Sequence, residues 1–183
     1  SHARLDGHAK VTGKALYPPR IVTAGALPEQ LYTAKFPFAT DLVQQLAWVT
    51  ALQATPTAEL TAFIPNPPPR ASSQAWLELA SILAGVHREL ASDRLDFAAV
   101  VDQLGDHPEA PRWRAMAAVQ QRYLTCLDAQ QLWDVQTARL RALDWGEPVA
   151  DRDLLVIGCV DLNRAQRGFL EQVAERVEIW IAA

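Results

Sequence analysis

The spacing of apolar side chains divides the chain into three zones, of which the first is residues 1–38. After a polar stretch, residues 21–24 form a short apolar run that predicts a strand, and residues 27–33 predict a brief helix. Pro28 fits the first turn of that helix, because proline has no amide hydrogen to donate there. This zone therefore predicts a polar lead-in and one strand–helix unit.

The second zone, residues 39–146, has the spacing of helices. Apolar side chains recur every three or four positions, and on the first helix Leu46 and Leu52 are predicted to share the buried face. Prolines at positions 65–69 exclude regular structure and predict an external loop. The predicted helices begin at a capping residue or a proline, and some stop at a glycine. The residues that mark these ends are Thr40, Ser72 or Ser73, Gly105, Pro111, Asp134 and Gly146.

In the third zone, residues 147–183, the apolar residues no longer have the spacing of a helix throughout. Leu154–Ile157 is a continuous aliphatic run, which predicts a strand buried on both faces. Asn163 can cap the helix that follows, and apolar residues alternate with polar ones from Val177 onward. Strand, helix and strand in this order predict a parallel unit with a right-handed crossover. Together the zones predict an α/β fold, in which one parallel sheet from the first and third zones is interrupted by a large all-helical insertion.

Composition indicates a globular chain. Of 183 residues, 50% are hydrophobic and 21% are charged, which excludes a disordered or fibrous protein. The longest apolar run, residues 154–160, is far shorter than the roughly 20 residues of a membrane helix, so we expect no membrane partner. Cys126 and Cys159 do not have metal-site spacing, and we expect buried free thiols in a reducing cytoplasm. The chain begins without methionine, which predicts a processed or excised piece of a longer protein.

The net charge of −4 is unevenly distributed. Residues 1–38 have five basic and two acidic side chains, residues 39–146 have eight and twelve, and residues 147–183 have four and seven. A mostly acidic surface argues against tight non-specific DNA binding by this chain alone. We therefore expect any affinity for DNA to be weak.

Three candidate sites have simpler structural interpretations. Residues 7–14 contain glycines and a lysine, as a phosphate-binding loop does, but the glycine spacing is too long and alanine replaces the Mg²⁺-binding hydroxyl residue. His87 lies in an apolar stripe, where a satisfied, half-buried side chain is expected more often than a base or ligand. His107, with Asp106 and Glu109, is expected in a solvated turn rather than a metal site.

Arg112, Arg114 and Arg122 lie near Trp113 and Tyr123 in the sequence, a combination of cations and rings that also occurs in nucleic-acid interfaces. On a helix, however, the rings fall on one side and Arg114 on another. Core packing with solvated arginines is therefore the favoured interpretation.

The loop after the predicted strand has the position of a ligand site. In parallel sheets, ligands gather beyond the carboxyl ends of strands, and residues 158–163 would line that crevice. A catalytic nucleotide site needs carboxylates at the strand tip to hold Mg²⁺ and water. This tip has Ile157 and Gly158, and Asp161 further out is as well suited to cap a helix as to bind a ligand.

The order of these elements resembles the first RecA-like, P-loop-type domain of UvrD-type superfamily-1 helicases, with its helical insertion. The resemblance rests on residues 21–32 and on residues 154–170, which include Ile-Gly-Cys-Val-Asp-Leu-Asn. In that family the strand ends in Asp-Glu-x-Gln-Asp, so alignment on Asp161 implies a degenerate motif without the Mg²⁺-binding and water-activating carboxylates. The degenerate positions are Ile157 and Gly158 for the acidic pair, Val160 for the glutamine, and the matching Asp161 and Gln166.

Among degenerate forms, the chain resembles AddB-like and RecB-related helicase–nuclease proteins, which end in a PD-(D/E)XK nuclease domain. Residues 111–113, 123–124, 134–140 and 155–162 are similar to that group's middle region. The resemblance implies a longer cytoplasmic parent, with a phosphate loop before residue 1 and a hydrolase domain after residue 183. It implies no catalytic residue, cofactor or metal for this chain itself.

Two functions follow as hypotheses. In the first, the chain is a non-catalytic fragment of a DNA-repair helicase–nuclease that scaffolds the other domains of its parent or guides DNA, with Thr23, Arg112 and Arg114 as candidate contacts. In the alternative, it is a stand-alone interaction module that binds a partner protein through the tryptophans of its bundle or the proline loop. A small enzyme at residues 158–163 would need a convergent set of polar groups, which the sequence does not assemble.

Overall fold

The computed structural model describes residues 20–180. In this part of the chain, two 3-10 turns, Ala24–Ala26 and Pro28–Gln30, precede a series of helices, and a pair of strands lies near the C-terminal end. The helices are α1 (Asp41–Ala54), α2 (Thr57–Leu60), α3 (Ser73–Ser92), α4 (Phe97–Leu104), α5 (Ala110–Asp128), α6 (Val135–Asp144) and α7 (Arg164–Gln172), and the strands are β1 (Leu154–Ile157) and β2 (Val177–Trp180).

Several helix ends lie where local chemistry predicts them. The side chains of Thr40, Asp134 and Asn163 accept hydrogen bonds from first-turn amides of α1, α6 and α7. Gly105 and Gly146 follow α4 and α6 with φ values of 54° and 65°, which glycine adopts without a Cβ penalty. These predictions are confirmed because a cap depends only on residues close to it in sequence.

The larger hydrophobic core lies among α1, α3, α4 and α5. Trp48 stacks on Tyr123 with ring centroids 4.1 Å apart, and Phe97 lies 6.4 Å from Trp48. Trp48 is 1% exposed, whereas Leu46, predicted on the buried face of α1, is 51% exposed. The buried face of α1 is therefore centred on its tryptophan, because the large ring gains most from burial.

A second hydrophobic core joins the first zone to the third. Leu27 and Leu31 pack with Phe169 and Leu170 of α7, and the last turn of α6 contributes as well. Tyr32 stacks on the fully buried Phe169 with ring centroids 5.7 Å apart. The two ends of the described chain therefore contact each other through side-chain packing. Burial of apolar surface stabilises such a contact by about 25 cal/mol per Å².

The strands β1 and β2 form a parallel two-stranded sheet, with Ile157 opposite Trp180 and α7 as the crossover. This confirms the predicted strand–helix–strand unit. Leu154 and Val156 pack against the second core, but Leu155 and Ile157 are 37% and 65% exposed. The prediction that this strand is buried on both faces is wrong, because within residues 20–180 the second core covers only one face.

The predicted strand at residues 21–24 is absent. Residues 20–23 have no regular structure, and Ile21 is 94% exposed. An apolar run becomes a strand only beside a partner strand, and none pairs with it in the described residues. The helix predicted at residues 27–33 is reduced to the Pro28–Gln30 turn. The first turn of a helix is unfavourable to form, and so short a segment adds too few further hydrogen bonds to offset that cost.

The fold is therefore α/β in a coarse sense, mostly helical with a small parallel sheet. The first zone does not contribute to that sheet within residues 20–180. The candidate phosphate loop at residues 7–14 lies outside the described residues.

Candidate functional site

The predicted crevice beyond the carboxyl end of β1 corresponds to the loop of residues 157–163, none of which lines the two cavities described below. The chain turns at Gly158, with a φ of 66°, and the Gly158 amide donates a hydrogen bond to the carbonyl oxygen of Trp180 at 2.9 Å. Ile157 and Val160 are 65% and 69% exposed, and Asp161 is exposed as well. The strand tip therefore presents aliphatic side chains where a nucleotide site presents carboxylates.

Gln166 connects this crevice to the first zone. Its side-chain oxygen accepts a hydrogen bond from the Asn163 amide at 3.0 Å, and its side-chain nitrogen donates one to the carbonyl oxygen of Ala24 at 3.1 Å. Thr23 is exposed and, as the neighbour of Ala24, lies close to the start of α7. The structure thus brings the segment of Thr23 next to Gln166, and both the oxygen and the nitrogen of the Gln166 side-chain amide form hydrogen bonds.

A second connection holds the same turn from α6. The Arg139 guanidinium donates hydrogen bonds to both carboxylate oxygens of Glu29 and to the carbonyl oxygen of Gly25, the last at 2.8 Å. The two side chains are only 20% and 23% exposed, so water screens this bidentate pair less than a surface ion pair. Sequence reasoning missed it, because 110 positions separate the partners.

Within residues 157–163, the strand tip has no carboxylate, which hydrolysis of a nucleotide would need there. Asp161 lies in the loop beyond the tip, and the Cys159 thiol lies 3.6 Å from the carbonyl oxygen of Ile157. Cys126 and Cys159 are free as predicted, but both are half-buried, and Cys159 lies in the loop after β1 rather than in a strand. Among residues 20–180, no three His, Cys, Asp or Glu side chains are placed to hold a metal ion.

Arg112 and Arg114 lie exposed in the first turns of α5. Arg112 forms an ion pair with Glu109 at 3.4 Å, while Trp113 packs against the larger core, 6.0 Å from the Phe97 ring. This confirms the interpretation of core packing with solvated arginines for Arg112 and Arg114, whereas Arg122 is half-buried and pairs with Glu59 at 3.1 Å. The role of Arg112 and Arg114 as DNA contacts, like that of Thr23, stays a prediction.

A buried polar network connects α3, α5 and the start of α6. His87 Nε2 lies 2.8 Å from Asp134 Oδ1, and the Tyr123 hydroxyl donates a hydrogen bond to Asp134 Oδ2 at 2.9 Å. Gln120 Nε2 lies 3.0 Å from His87 Nδ1. All four residues are at most 5% exposed, so His87 is satisfied as predicted but fully buried. The pattern predicts Asp134 only as a cap, because its partner His87 lies 47 positions away.

The electrostatics of this network favour a structural role. Burial raises the pKa of Asp134, but interactions with His87, the Thr137 amide and Tyr123 together bring it below its ordinary value. The pKa of Tyr123 is raised, first by burial and then by the charge of Asp134. An ionised carboxylate only accepts, so His87 Nε2 donates to it while Nδ1 accepts from Gln120. Neither ring nitrogen is free for acid–base catalysis.

Comparison with known proteins adds no assignment. No family model, curated protein or solved structure matches the chain. Across the described residues, no helix combines the length and the apolar character that a membrane span requires. Any inference about the function of this chain therefore rests on the geometry of residues 20–180.

Two cavities lie outside the crevice. The smaller, about 340 Å³, adjoins His87 and opens among polar side chains. The larger, about 440 Å³, lies between the first zone and the start of β1, with Arg20, Glu147 and Asp151 in its wall. Tyr32 also lines it, and the Tyr32 hydroxyl is buried without a hydrogen-bond partner in the described residues, while burial raises its pKa. Charges of both signs line this cavity.

Proposed function

We propose that the chain is a non-catalytic, helicase-like domain of a DNA-repair helicase–nuclease, and that β1 and β2 belong to a RecA-like sheet. In this role it hydrolyses no ATP, and it scaffolds the other domains of its parent or guides DNA. The observation that carries the proposal is the carboxyl end of β1. Ile157 ends the strand and Gly158 follows it, and in the resemblance to UvrD-type helicases these two residues align with the acidic pair.

The contacts around the crevice support a structural role. Gln166 holds the turn at Ala24, and Arg139 holds the same turn through Gly25 and Glu29. These contacts fix the backbone beside the crevice without adding a carboxylate to it. A supported strand tip without a carboxylate at Ile157 or Gly158 is what a helicase-like domain without ATPase activity would have.

The outer face of the small sheet also supports the proposal. Leu155, Ile157 and Trp180 are between 37% and 65% exposed on it. A two-stranded sheet is marginal by itself, and parallel sheets normally have both faces covered. Because no layer covers this face within residues 20–180, we infer that further helices of a RecA-like domain pack over it.

An ATPase assay tests the proposal. The chain is incubated with ATP and Mg²⁺, with and without single-stranded DNA, and phosphate release is compared with that of the Asp161→Asn variant. We expect both proteins to remain at background, since no carboxylate is placed at the strand tip. Turnover by the wild-type chain that Asp161→Asn abolishes would refute the proposal. Equal turnover by both proteins that persists through a further purification step would also refute the proposal, whereas turnover lost in that step would come from a contaminating ATPase.

A protein-interaction module is the second candidate, and the exposed sheet face favours it. The bundle tryptophans are poorly suited to binding, because Trp48 and Trp76 are 1% and 2% exposed. The proline loop is held against the bundle, since Trp76 Nε1 donates to the carbonyl oxygen of Pro69 at 3.1 Å. A module that binds through its sheet should self-associate at high concentration in sedimentation experiments, and Ile157→Lys should reverse this.

A further inference from the structure

We propose that Trp145, Lys35 and Arg141 form a binding site for single-stranded nucleic acid, an inference that rests on the DNA-guiding role proposed above. Trp145 directly follows α6 and is 50% exposed. Lys35 Nζ lies 4.2 Å from the centroid of its ring, and the Arg141 guanidinium carbon lies 5.8 Å from it. A large aromatic ring is therefore presented at the surface among positive charges.

The two cations of this site are available to a ligand. Within residues 20–180, neither Lys35 nor Arg141 forms an ion pair with a carboxylate. Of the acidic residues next to the ring in sequence, Asp144 pairs with Arg94 at 3.8 Å, and Glu147 lines the larger cavity. The site therefore has a net positive charge on a chain whose total charge is −4.

A ring with two cations matches the chemistry of a single strand. Proteins that bind single strands without sequence preference stack bases on aromatic rings and place cations near the phosphates. A base would stack on Trp145 by displacing the more distant Arg141 guanidinium, and the flanking phosphates would then pair with Arg141 and Lys35. The bases of a duplex are already stacked, and an acidic peptide would use the cations without the ring.

Fluorescence anisotropy with a labelled oligothymidine of about 16 nucleotides, the upper end of known site sizes, tests the site. Trp145→Ala is expected to weaken binding about 5- to 150-fold, the range for one stacked base, and Trp145→Phe should lose less. Lys35→Ala should lower the slope of log affinity against log salt by about 0.7. Circular dichroism of each variant establishes that it is folded.

The matched control is Trp180→Ala. Trp180 is 51% exposed, nearly the same as Trp145, but its indole nitrogen donates a hydrogen bond to the Glu178 carboxylate at 2.6 Å. A negative charge beside the ring repels phosphate, so this variant should bind the oligothymidine as the wild-type chain does.

Several results would overturn the proposal. They are an absence of binding by the wild-type chain at low salt, an affinity unchanged by Trp145→Ala, and an equal loss in Trp180→Ala. Equal affinity for a duplex of the same length would assign the site to duplex DNA, and full competition by polyglutamate would assign it to acidic peptides. None of these results affects the expectation of ATPase inactivity. Conversely, ATP turnover would refute the proposed function and leave the Trp145 measurements intact.

Discussion

Replacing Asp134 by alanine is expected to destabilise the protein strongly. The carboxylate caps α6 by accepting from the Thr137 amide at 2.7 Å, and it also accepts from His87 and Tyr123. Loss of a cap costs about 1 kcal/mol. Each buried donor left without a partner costs about 1–3 kcal/mol. With two such donors, Asp134→Ala should lower the free energy of unfolding by about 3–7 kcal/mol, a large part of the roughly 5–15 kcal/mol that stabilises a typical domain.

Urea unfolding, followed by tryptophan fluorescence and far-ultraviolet circular dichroism, measures this loss. Thr40→Ala is the matched control, because Thr40 caps α1 through an exposed contact at 3.4 Å and leaves no buried donor behind. It should cost only about 0.5–1 kcal/mol. If Asp134→Ala costs no more than Thr40→Ala, the buried network adds no stability beyond that of a helix cap.

The same carboxylate predicts a pH dependence. Because the folded-state pKa of Asp134 lies below its unfolded value of about 3.9, its contribution to stability is present above that pH. The contribution is lost as the pH falls through the folded-state value. Asp134→Asn retains a capping oxygen but does not titrate, so the difference in stability between wild type and variant should shrink below about pH 4. A constant difference from pH 7 to pH 2 would contradict this.

Two further predictions concern other polar contacts. The pKa of Tyr123 is raised above its unfolded value of about 10, so its contribution to stability is present below pH 10 and is lost as the pH rises further. Tyr123→Phe should therefore lower the free energy of unfolding by about 1.5–3 kcal/mol at pH 7 and by progressively less above pH 10. Denaturant titrations measure this difference, and a difference independent of pH would contradict the prediction. Arg139→Met removes the ion pair with Glu29 and should accelerate hydrogen exchange at residues 24–31 while leaving α5 unchanged. Glu29→Gln should have a smaller effect, and no change at residues 24–31 in either variant would show that the pair does not hold the turn.

Helix positions in this chain could be predicted because their signals are local. Thr40, Asp134 and Asn163 cap their helices as expected, and Gly105 and Gly146 lie just beyond helix ends. The strand–helix–strand unit at the C-terminal end was also predictable from its change of period. Each signal spans only a few residues, so it does not depend on how the rest of the chain packs.

Strand formation at residues 21–24 was not predictable in the same way. Ile21 and Val22 have strand-type side chains, but a strand exists only with a partner, and the sequence does not say whether a partner comes near. The exposed face at Leu155 and Ile157 has the same origin, because burial of a strand face depends on which layer packs over it. The sequence therefore identified a strand tip without carboxylates but not the surroundings of that tip.

The amino-acid sequence by itself determined the helical zone, its capping residues and the absence of carboxylates at positions 157 and 158. Only the tertiary structure decided that His87 meets Asp134, that Arg139 holds Glu29, and that Lys35 lies over the Trp145 ring. The physical reason is range. Helix period and caps arise between residues three or four positions apart, whereas these pairs join segments 47 to 110 positions apart, and their meeting depends on how whole helices pack.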